Sequence, residues 1–236
     1  MVEEILPGFR IVDLALYLEE SGTLVFADVH LGYEECLNRQ GIMVPRFQYR
    51  TVIGHLDGIL EETAPERIVI GGDLKHEFGR ISEQEWTEVL RFLDRLKEYD
   101  IVLVKGNHDT ILGPIAGRKN VRVEDDCIVG KTLITHGHRI PDKKTLKKCE
   151  TIVIGHEHPA IGVKDETMKE TVKCFLKGKY EGKNLIVMPS FNFITEGTDV
   201  LNEEILSPFL KQNLDDFEAY CVEERKVMYF GRIGKL

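Results

Sequence analysis

Five short patches of the sequence combine histidine with carboxylate, amide or glycine residues. They are Asp28-Val29-His30, Gly72-Asp73, Gly106-Asn107-His108-Asp109, His136-Gly137-His138 and Gly155-His156-Glu157-His158. Most patches directly follow a run of β-branched or aliphatic residues, which predicts that each lies where a buried strand ends in a loop. Side chains in such positions are rigid at the base and open at the tip, as metal ligands must be. The patches therefore predict a metal site assembled from several strand ends.

Two divalent cations would suit this set of donor atoms. Metals about 3.5–4 Å apart can clamp a phosphate and lower the pKa of a bridging water, so that the bridging hydroxide is a nucleophile near neutral pH. Asp28, Asp73 and Asn107 supply oxygen ligands, and the histidines supply neutral nitrogens. In an extended strand end, the D-x-H and H-x-H spacings place both side chains on the same side. We therefore predict a two-metal hydrolase of phosphate esters. Mn²⁺ is the preferred metal for mixed nitrogen and oxygen ligands without thiolate, with Fe, Zn or Ni as alternatives.

Composition and charge set broad bounds on the protein. Its 236 residues fit one α/β domain, which we place at 1–236. The five cysteines are odd in number and form no C-x-x-C pair, which predicts free thiols in a reducing compartment. No apolar run is long enough for a signal peptide or a membrane span, so we expect a cytoplasmic protein without a membrane partner. The net charge of −9 argues against a protein that coats nucleic acid. It does not exclude a nuclease, because bound cations would reverse the local field.

The pattern of apolar residues predicts an α/β fold with two mixed β-sheets packed as a sandwich and flanked by helices. In the first half, strands and helices alternate, as in parallel βαβ units. The strands expected there are 9–12, 14–18, 23–27, 66–70 and 101–104. The helices expected there are 46–63 and a helix that opens with a capping box at 82–85 and runs to about Tyr99. The second half predicts a more antiparallel sheet of closely spaced strands, 121–123, 127–129, 131–135, 151–154, 160–164, 171–177, 184–188 and 226–231.

In this order along the chain, the D-x-H, GD, GNHD, HGH and GHxH patches resemble those of the calcineurin-like metallophosphoesterase superfamily. The resemblance spans residues 28 to 158 and implies that family's four-layer sandwich of two sheets and flanking helices. It implies that one metal is bound by Asp28, His30 and His158. It implies that the other metal is bound by Asn107, His136 and His156. Asp73 would bridge the two metals, and His108 would contact the phosphate and assist departure of the leaving oxygen.

Gly72-Asp73-Leu74-Lys75-His76 is similar to the GDLFH motif of SbcD-like nucleases and their small ICC-like relatives. Many phosphatases of the superfamily have GDxxD instead, and their second Asp orients the catalytic histidine. His76 stands in that position here, so the sequence does not identify the group that orients His108. The resemblance implies that His76 contacts the substrate phosphate. We therefore expect a phosphodiesterase, with nucleic acid or a nucleotide as the candidate substrate.

Two other functions stay open at this point. A phosphomonoesterase or phosphoprotein phosphatase would use the same ligands, although the missing GDxxD acid argues against it. A non-catalytic metal-binding scaffold would have no need of His108.

Outside the ligand set, we expect His55 to be structural, His138 to lie near the site without binding metal, and Glu157 to point away from it. The basic segment 143–148 is either a solvated face or a contact for a substrate backbone.

Overall fold

A seven-stranded sheet forms the first half of the protein, seen in a computed structural model that describes residues 3–109, 112–119, 121–164 and 169–236. Its strands lie side by side in chain order, antiparallel from β1 to β4 and parallel from β4 to β7. They are β1 (Glu3–Leu6), β2 (Phe9–Val12), β3 (Ala15–Leu18), β4 (Thr23–Phe26), β5 (Arg67–Ile70), β6 (Asp100–Val104) and β7 (Arg122–Glu124). The parallel half of this sheet therefore ends its strands β4, β5 and β6 at one common edge.

The second sheet has nine strands among the described residues. They are β8 (Cys127–Val129), β9 (Thr132–Thr135), β10 (Thr151–Ile154), β11 (Pro159–Lys164), β12 (Lys169–Tyr180), β13 (Lys183–Val187), β14 (Thr198–Asp199), β15 (Glu218–Glu223) and β16 (Lys226–Arg232). The order is β14-β11-β12-β13-β10-β9-β8, and the β15–β16 hairpin pairs with β12. At the centre, β9, β10 and β13 are parallel, whereas most of the outer pairs are antiparallel.

Five α-helices are described. They are α1 (Tyr33–Arg39), α2 (Gln48–Thr63), α3 (Glu83–Arg95), α4 (Gly113–Lys119) and α5 (Lys143–Leu146). The α3 helix opens with a capping box in which the Ser82 hydroxyl accepts from the Glu85 amide at 3.1 Å and the Glu85 carboxylate accepts from the Ser82 amide at 2.8 Å. No described helix is both long enough and apolar enough to span a membrane.

The main core lies between the two sheets and beneath α2 and α3. Val25 and Val69 of the first sheet and Val153 and Ile186 of the second belong to the same buried cluster. A second core covers the other face of the second sheet and includes Phe209. Every residue of β4, β9 and β10 is buried, which explains why these strands are apolar at consecutive rather than alternating positions.

The predicted fold class is confirmed, and the predicted strands agree with the structure apart from small shifts at their ends. The helix expected to run to about Tyr99 ends earlier, at Arg95. The second sheet is mixed and more antiparallel than the first, as predicted, with parallel pairs at its centre between β9, β10 and β13. Six of these helices and strands were not predicted, namely β1, β14, β15, α1, α4 and α5. The α1 helix lacks an apolar stripe, and α4 contains two glycines and a proline, so neither has the pattern of an amphipathic helix.

Candidate metal centre

The five patches meet at the edge where the parallel strands of both sheets end. In the first sheet, β4 leads to Asp28 and His30, β5 leads to Asp73, and β6 leads to Asn107 and His108. In the second sheet, β9 leads to His136, and β10 leads to His156 and His158. The sheets therefore contribute opposite walls of one site.

One group of donor atoms joins Asp28, His30 and His158. Their ligand atoms all lie within 4.8 Å of one another. The two Nε2 atoms of His30 and His158 are 3.4 Å apart, and His158 Nε2 is 3.4 Å from Asp28 Oδ1. Residues 128 positions apart in the sequence thus converge on one point.

A second group joins Asp73, His136 and His156, again within 4.8 Å. His136 Nε2 lies 3.3 Å from Asp73 Oδ2 and 2.9 Å from Asn107 Oδ1, which adds the amide oxygen to the group. His136 Nδ1 lies 3.1 Å from the Gly71 carbonyl, which can only accept, so this nitrogen carries the proton. In the neutral ring, the bare Nε2 then faces two oxygens, and either a proton on Nε2 or a cation between the three atoms makes the arrangement favourable.

Asp73 lies between the two groups. Its Oδ2 atom is 3.3 Å from His136 Nε2 in the second group and 3.9 Å from His30 Nε2 in the first. Its other oxygen, Oδ1, accepts a hydrogen bond from the His108 amide at 2.9 Å, which fixes the orientation of the carboxylate. One carboxylate is thus positioned to reach cations in both groups.

An unsatisfied oxygen supports cation binding at this site. Asp28 is fully buried, and its Oδ1 atom has no hydrogen-bond donor among the described residues. The atoms that approach it are His158 Nε2 at 3.4 Å and His136 Nδ1 at 3.5 Å. A buried carboxylate oxygen without a partner is costly, and a bound cation removes that cost. The oxygen and imidazole donors present therefore fit divalent metal ions.

Several candidate ligands have a backbone conformation that we did not predict. Five residues of the two groups have left-handed backbones, with φ of 58° at Asp28, 49° at His30, 49° at Asp73, 69° at His156 and 51° at His158. Our argument from extended strand ends is therefore wrong, although it joined the same residues. The left-handed conformation costs roughly 1–2 kcal/mol per residue for side chains in general. Asp and His are among the residues that adopt it most readily.

Two distant amide side chains hold the backbone around Asp28 and His30. Gln48 Nε2 donates to the Val29 carbonyl at 2.9 Å and to the His30 carbonyl at 3.3 Å. Asn192 Nδ2 donates to the same Val29 carbonyl at 3.2 Å. Both amides are buried, so these bonds are shielded from water. Gln48 and Asn192 together stabilise the strained segment that carries two of the candidate ligands.

Three glycines make room for the candidate ligands. A Cβ atom on Gly106 would lie 1.9 Å from Asp73 Oδ1, and one on Gly155 would lie 2.4 Å from Asp28 Oδ2. A Cβ atom on Gly72 would lie 2.4 Å from His136 Nδ1. At these positions it is the close approach of a ligand side chain that requires glycine.

The group that orients His108 is a backbone atom. His108 Nδ1 donates a hydrogen bond to the carbonyl oxygen of His76, which turns Nε2 toward the site, 3.8 Å from Asp73 Oδ2. The His76 amide in turn donates to Glu85 Oε1 at 3.0 Å, so α3 holds this loop in place. The ring atoms of His76, His30 and His108 form a third group within 4.8 Å. His76 thus contributes both its carbonyl and its ring to the site.

The charge states of the buried histidines match a cation site. Burial lowers the pKa of His30 to about 3 and that of His156 to about 4, so both rings are neutral at pH 7 and can act as ligands. Burial opposes protonation of His136, but the Asp73 and Asp28 carboxylates outweigh it and raise its pKa to about 9. The two carboxylates thus favour positive charge at the centre of the site.

The remaining polar residues singled out in the sequence belong to none of the donor groups, although the ring of His138 lies near the site, with its centroid 5.2 Å from that of His136 and 6.0 Å from that of His156. His55 Nδ1 lies 2.5 Å from Asp13 Oδ2 on the other side of the 190–198 loop, consistent with a structural role. Glu157 points away and accepts from the Ser207 amide at 2.7 Å. His138 is half-buried and belongs to none of the three donor groups. The basic segment forms the short helix α5, capped by Asp142.

Comparisons with known proteins agree with this architecture. The sequence model of the calcineurin-like phosphoesterase family matches residues 23–217. The nuclease MPE of Pseudomonas putida has a similar structure, with a TM-score of 0.67, 20% identity and 94% of each chain covered. Yfce, a phosphoesterase from E. coli, has a TM-score of 0.43 and 12% identity. The match covers 87% of this chain and 96% of the Yfce chain. Vps29 from Entamoeba histolytica, complexed with Zn²⁺, has a TM-score of 0.38 and 15% identity. The match covers 88% of this chain and 96% of the Vps29 chain. The last two TM-scores are too low to support an argument. No curated protein matches the sequence.

The chain belongs to the calcineurin-like phosphoesterase family, since the matched region includes every candidate ligand. The family uses divalent metals to hydrolyse phosphoesters, and the donor groups described above are candidate ligands for them.

Proposed function

We propose that the protein is a phosphodiesterase with a centre of two divalent metals, Mn²⁺ being the preferred ion. Asp28, His30 and His158 hold one metal. Asn107, His136 and His156 would hold the other, and Asp73, which lies between the two groups, would serve both. The observation that carries this proposal is the pair of donor groups with the Asp73 carboxylate between them and the unpaired Asp28 Oδ1 at their centre. Bound metals supply charge to the phosphate oxygens and lower the pKa of a water molecule that acts as the nucleophile.

The chain itself supplies the group that assists departure of the leaving oxygen. Because His108 Nδ1 donates to the His76 carbonyl, Nε2 is the nitrogen that faces the site, and in the doubly protonated ring it carries the proton for the leaving oxygen. The ring cannot rotate without breaking this bond, so Nε2 keeps its orientation toward the site. This is the role of a positioned general acid. His76 lies beside it, and burial lowers its pKa to about 4, so its neutral ring contacts the phosphate without adding charge.

Two features favour a diester over a monoester. The position of the second acid of GDxxD is occupied by His76, so the site lacks one carboxylate that phosphatases place near the catalytic histidine. The similar fold of MPE, whose published name is that of a nuclease, points in the same direction. Nucleic acid or a nucleotide is therefore the substrate class that we favour.

The proposal is tested with an aryl phosphodiester and the matching monoester, using Mn²⁺-loaded protein. We expect hydrolysis of the diester at a higher kcat/KM than the monoester. Replacing His108 by Ala should lower kcat on the diester while two metals per chain are still bound. A preference for the monoester would overturn the diesterase assignment. Two bound metals without hydrolysis of either ester would indicate a scaffold instead.

A further inference from the structure

A cavity of about 340 Å³ lies over the donor groups and is the candidate site for the substrate. Its wall includes His30, His76, His108 and His158, together with Tyr33 and the 192–198 loop. None of the described residues that line it is a lysine or an arginine, and Glu196 adds a negative charge at the rim. Beyond the metals, the cavity therefore offers no cationic groups for a polyanionic backbone.

Aromatic side chains cover the two histidines that face the substrate. The Tyr33 ring stacks on His76, with ring centroids 4.0 Å apart and an interplanar angle of 33°. The Phe78 ring stacks on His108, with centroids 3.7 Å apart and an angle of 37°. Tyr33 is half-buried, whereas Phe78 is 58% exposed. We call Tyr33 and Phe78 the aromatic rim.

The exposure of Phe78 has no explanation in the packing of the fold. Phe78 belongs to neither hydrophobic cluster, and its segment, residues 77–81, forms no helix or strand. Single exposed apolar residues are common, but this ring stacks on a histidine of the site and its exposed surface is open to a ligand. Because one face of the ring stacks on His108, a ligand that covers the outer face would lie beside the departing group of a bound phosphodiester.

We propose that the aromatic rim stacks a nucleobase of the substrate, so that the protein acts on phosphodiesters that carry an unpaired base. This inference rests on the proposed function and adds the substrate class to it. Stacking on an aromatic ring suits single strands and tolerates any base, because every base has a π-face. A base inside a duplex is already stacked and is not available. A lipid ester would require a continuous apolar groove, but the described cavity wall is made mostly of histidine, asparagine, threonine and glutamate.

The test compares two short single-stranded oligodeoxynucleotides of the same length. One carries thymine throughout, and the other has abasic residues on both sides of the scissile phosphate. We expect the wild-type protein to show a KM about tenfold lower for the base-containing strand. In Phe78→Ala this preference should disappear, and in Phe78→Trp it should be kept. Phe47→Ala is the matched control, since Phe47 is another exposed aromatic (41%), whereas it is Phe78 whose ring stacks on His108.

The outcomes separate this inference from the proposed function. Equal KM values for the two strands in the wild type would overturn the stacking role while leaving the phosphodiesterase intact. A fall of kcat in Phe78→Ala with an unchanged preference would show that Phe78 only positions His108, which also overturns the inference. Hydrolysis of an aryl diester but of neither oligonucleotide would overturn the substrate class alone. If neither the aryl diester nor an oligonucleotide is hydrolysed, the proposed function fails first.

Discussion

The two sheets contribute different chemistry to the same site. Every oxygen donor comes from loops of the first sheet, in Asp28, Asp73 and Asn107, whereas the second sheet contributes only imidazoles. The groups that face the substrate, His76 and His108 with the aromatic rim, also belong to the first sheet. The two donor groups that include a carboxylate, Asp28 and Asp73 respectively, each draw on both sheets. Metal binding at these two groups should therefore depend on how the sheets pack, whereas assistance to the leaving group should depend on the first sheet.

The largest effect is expected when the carboxylate between the groups is removed. Asp73→Ala should lose tight binding of both metals and lower kcat/KM by at least about 10³-fold, because its charge serves both groups. His158→Ala removes one imidazole of the second sheet and should leave about one metal per chain. Metal content after gel filtration, measured by mass spectrometry, distinguishes the two. Two metals retained by Asp73→Ala would contradict the bridging role.

A change confined to the first sheet should separate chemistry from metal binding. His108→Ala should lower kcat by about 10²–10⁴-fold, because a positioned proton donor is lost, and should leave the metal content unchanged. His55→Ala is the control, since His55 contacts Asp13 rather than the donor groups. Loss of metal from the His108 variant would show that this ring is a ligand.

The contact between the sheets can be tested with a single methyl group. Gly155→Ala places a Cβ atom 2.4 Å from Asp28 Oδ2, so the second sheet would displace a ligand of the first. Metal affinity should fall by about 10–100-fold, as for other changes that misorient a ligand. The control is Gly54→Ala in α2, where the added Cβ meets nothing within 4 Å. Isothermal titration with Mn²⁺ measures the affinity of both variants. Equal affinities would show that the loop around Gly155 relaxes freely.

A smaller effect is expected from the amide that holds the strained segment. Gln48→Ala removes the donor to the Val29 and His30 carbonyls and should weaken Mn²⁺ binding by about tenfold. The exposed Gln40 offers a matched control, because its side-chain amide donates to Cys36 Sγ and not to the backbone around Asp28 and His30. If Gln48→Ala binds Mn²⁺ like the Gln40→Ala variant, the backbone keeps its conformation without this amide.

A separate effect, on folding stability and not on metal binding, concerns a lysine of the second sheet. Lys173 donates to the Ser190 carbonyl and hydroxyl, and burial lowers its pKa from 10.5 to about 7. Between pH 7 and about 10, the unfolded chain therefore binds more protons than the folded one, and the unfolding free energy should rise with pH. Lys173→Met should lack this rise. Urea unfolding of metal-free protein checks this, and parallel pH profiles for the two proteins would contradict it.

The identity of the donor residues was accessible from the sequence, because ligand types at the ends of apolar strands leave a readable pattern. Their backbone was not, since the left-handed conformation at Asp28 and His30 is held by Gln48 and Asn192, which are far away in the chain. The group that orients His108 was missed because it is a main-chain carbonyl. Every residue has such a carbonyl, so the sequence does not identify it. Phe78 follows no periodic pattern, and an aromatic residue just after the Gly72–His76 motif was the only signal available.

The left-handed backbone also limits how this site could be redesigned. At five positions, a replacement must provide a metal donor and also tolerate φ near 50–70°. Asp, Asn and His meet both demands, whereas β-branched residues do not. Installing cysteine ligands to attract softer metals would therefore first require a change in the loops that set these angles. The main chain, as much as the side chains, restricts the metals that descendants of this protein could adopt.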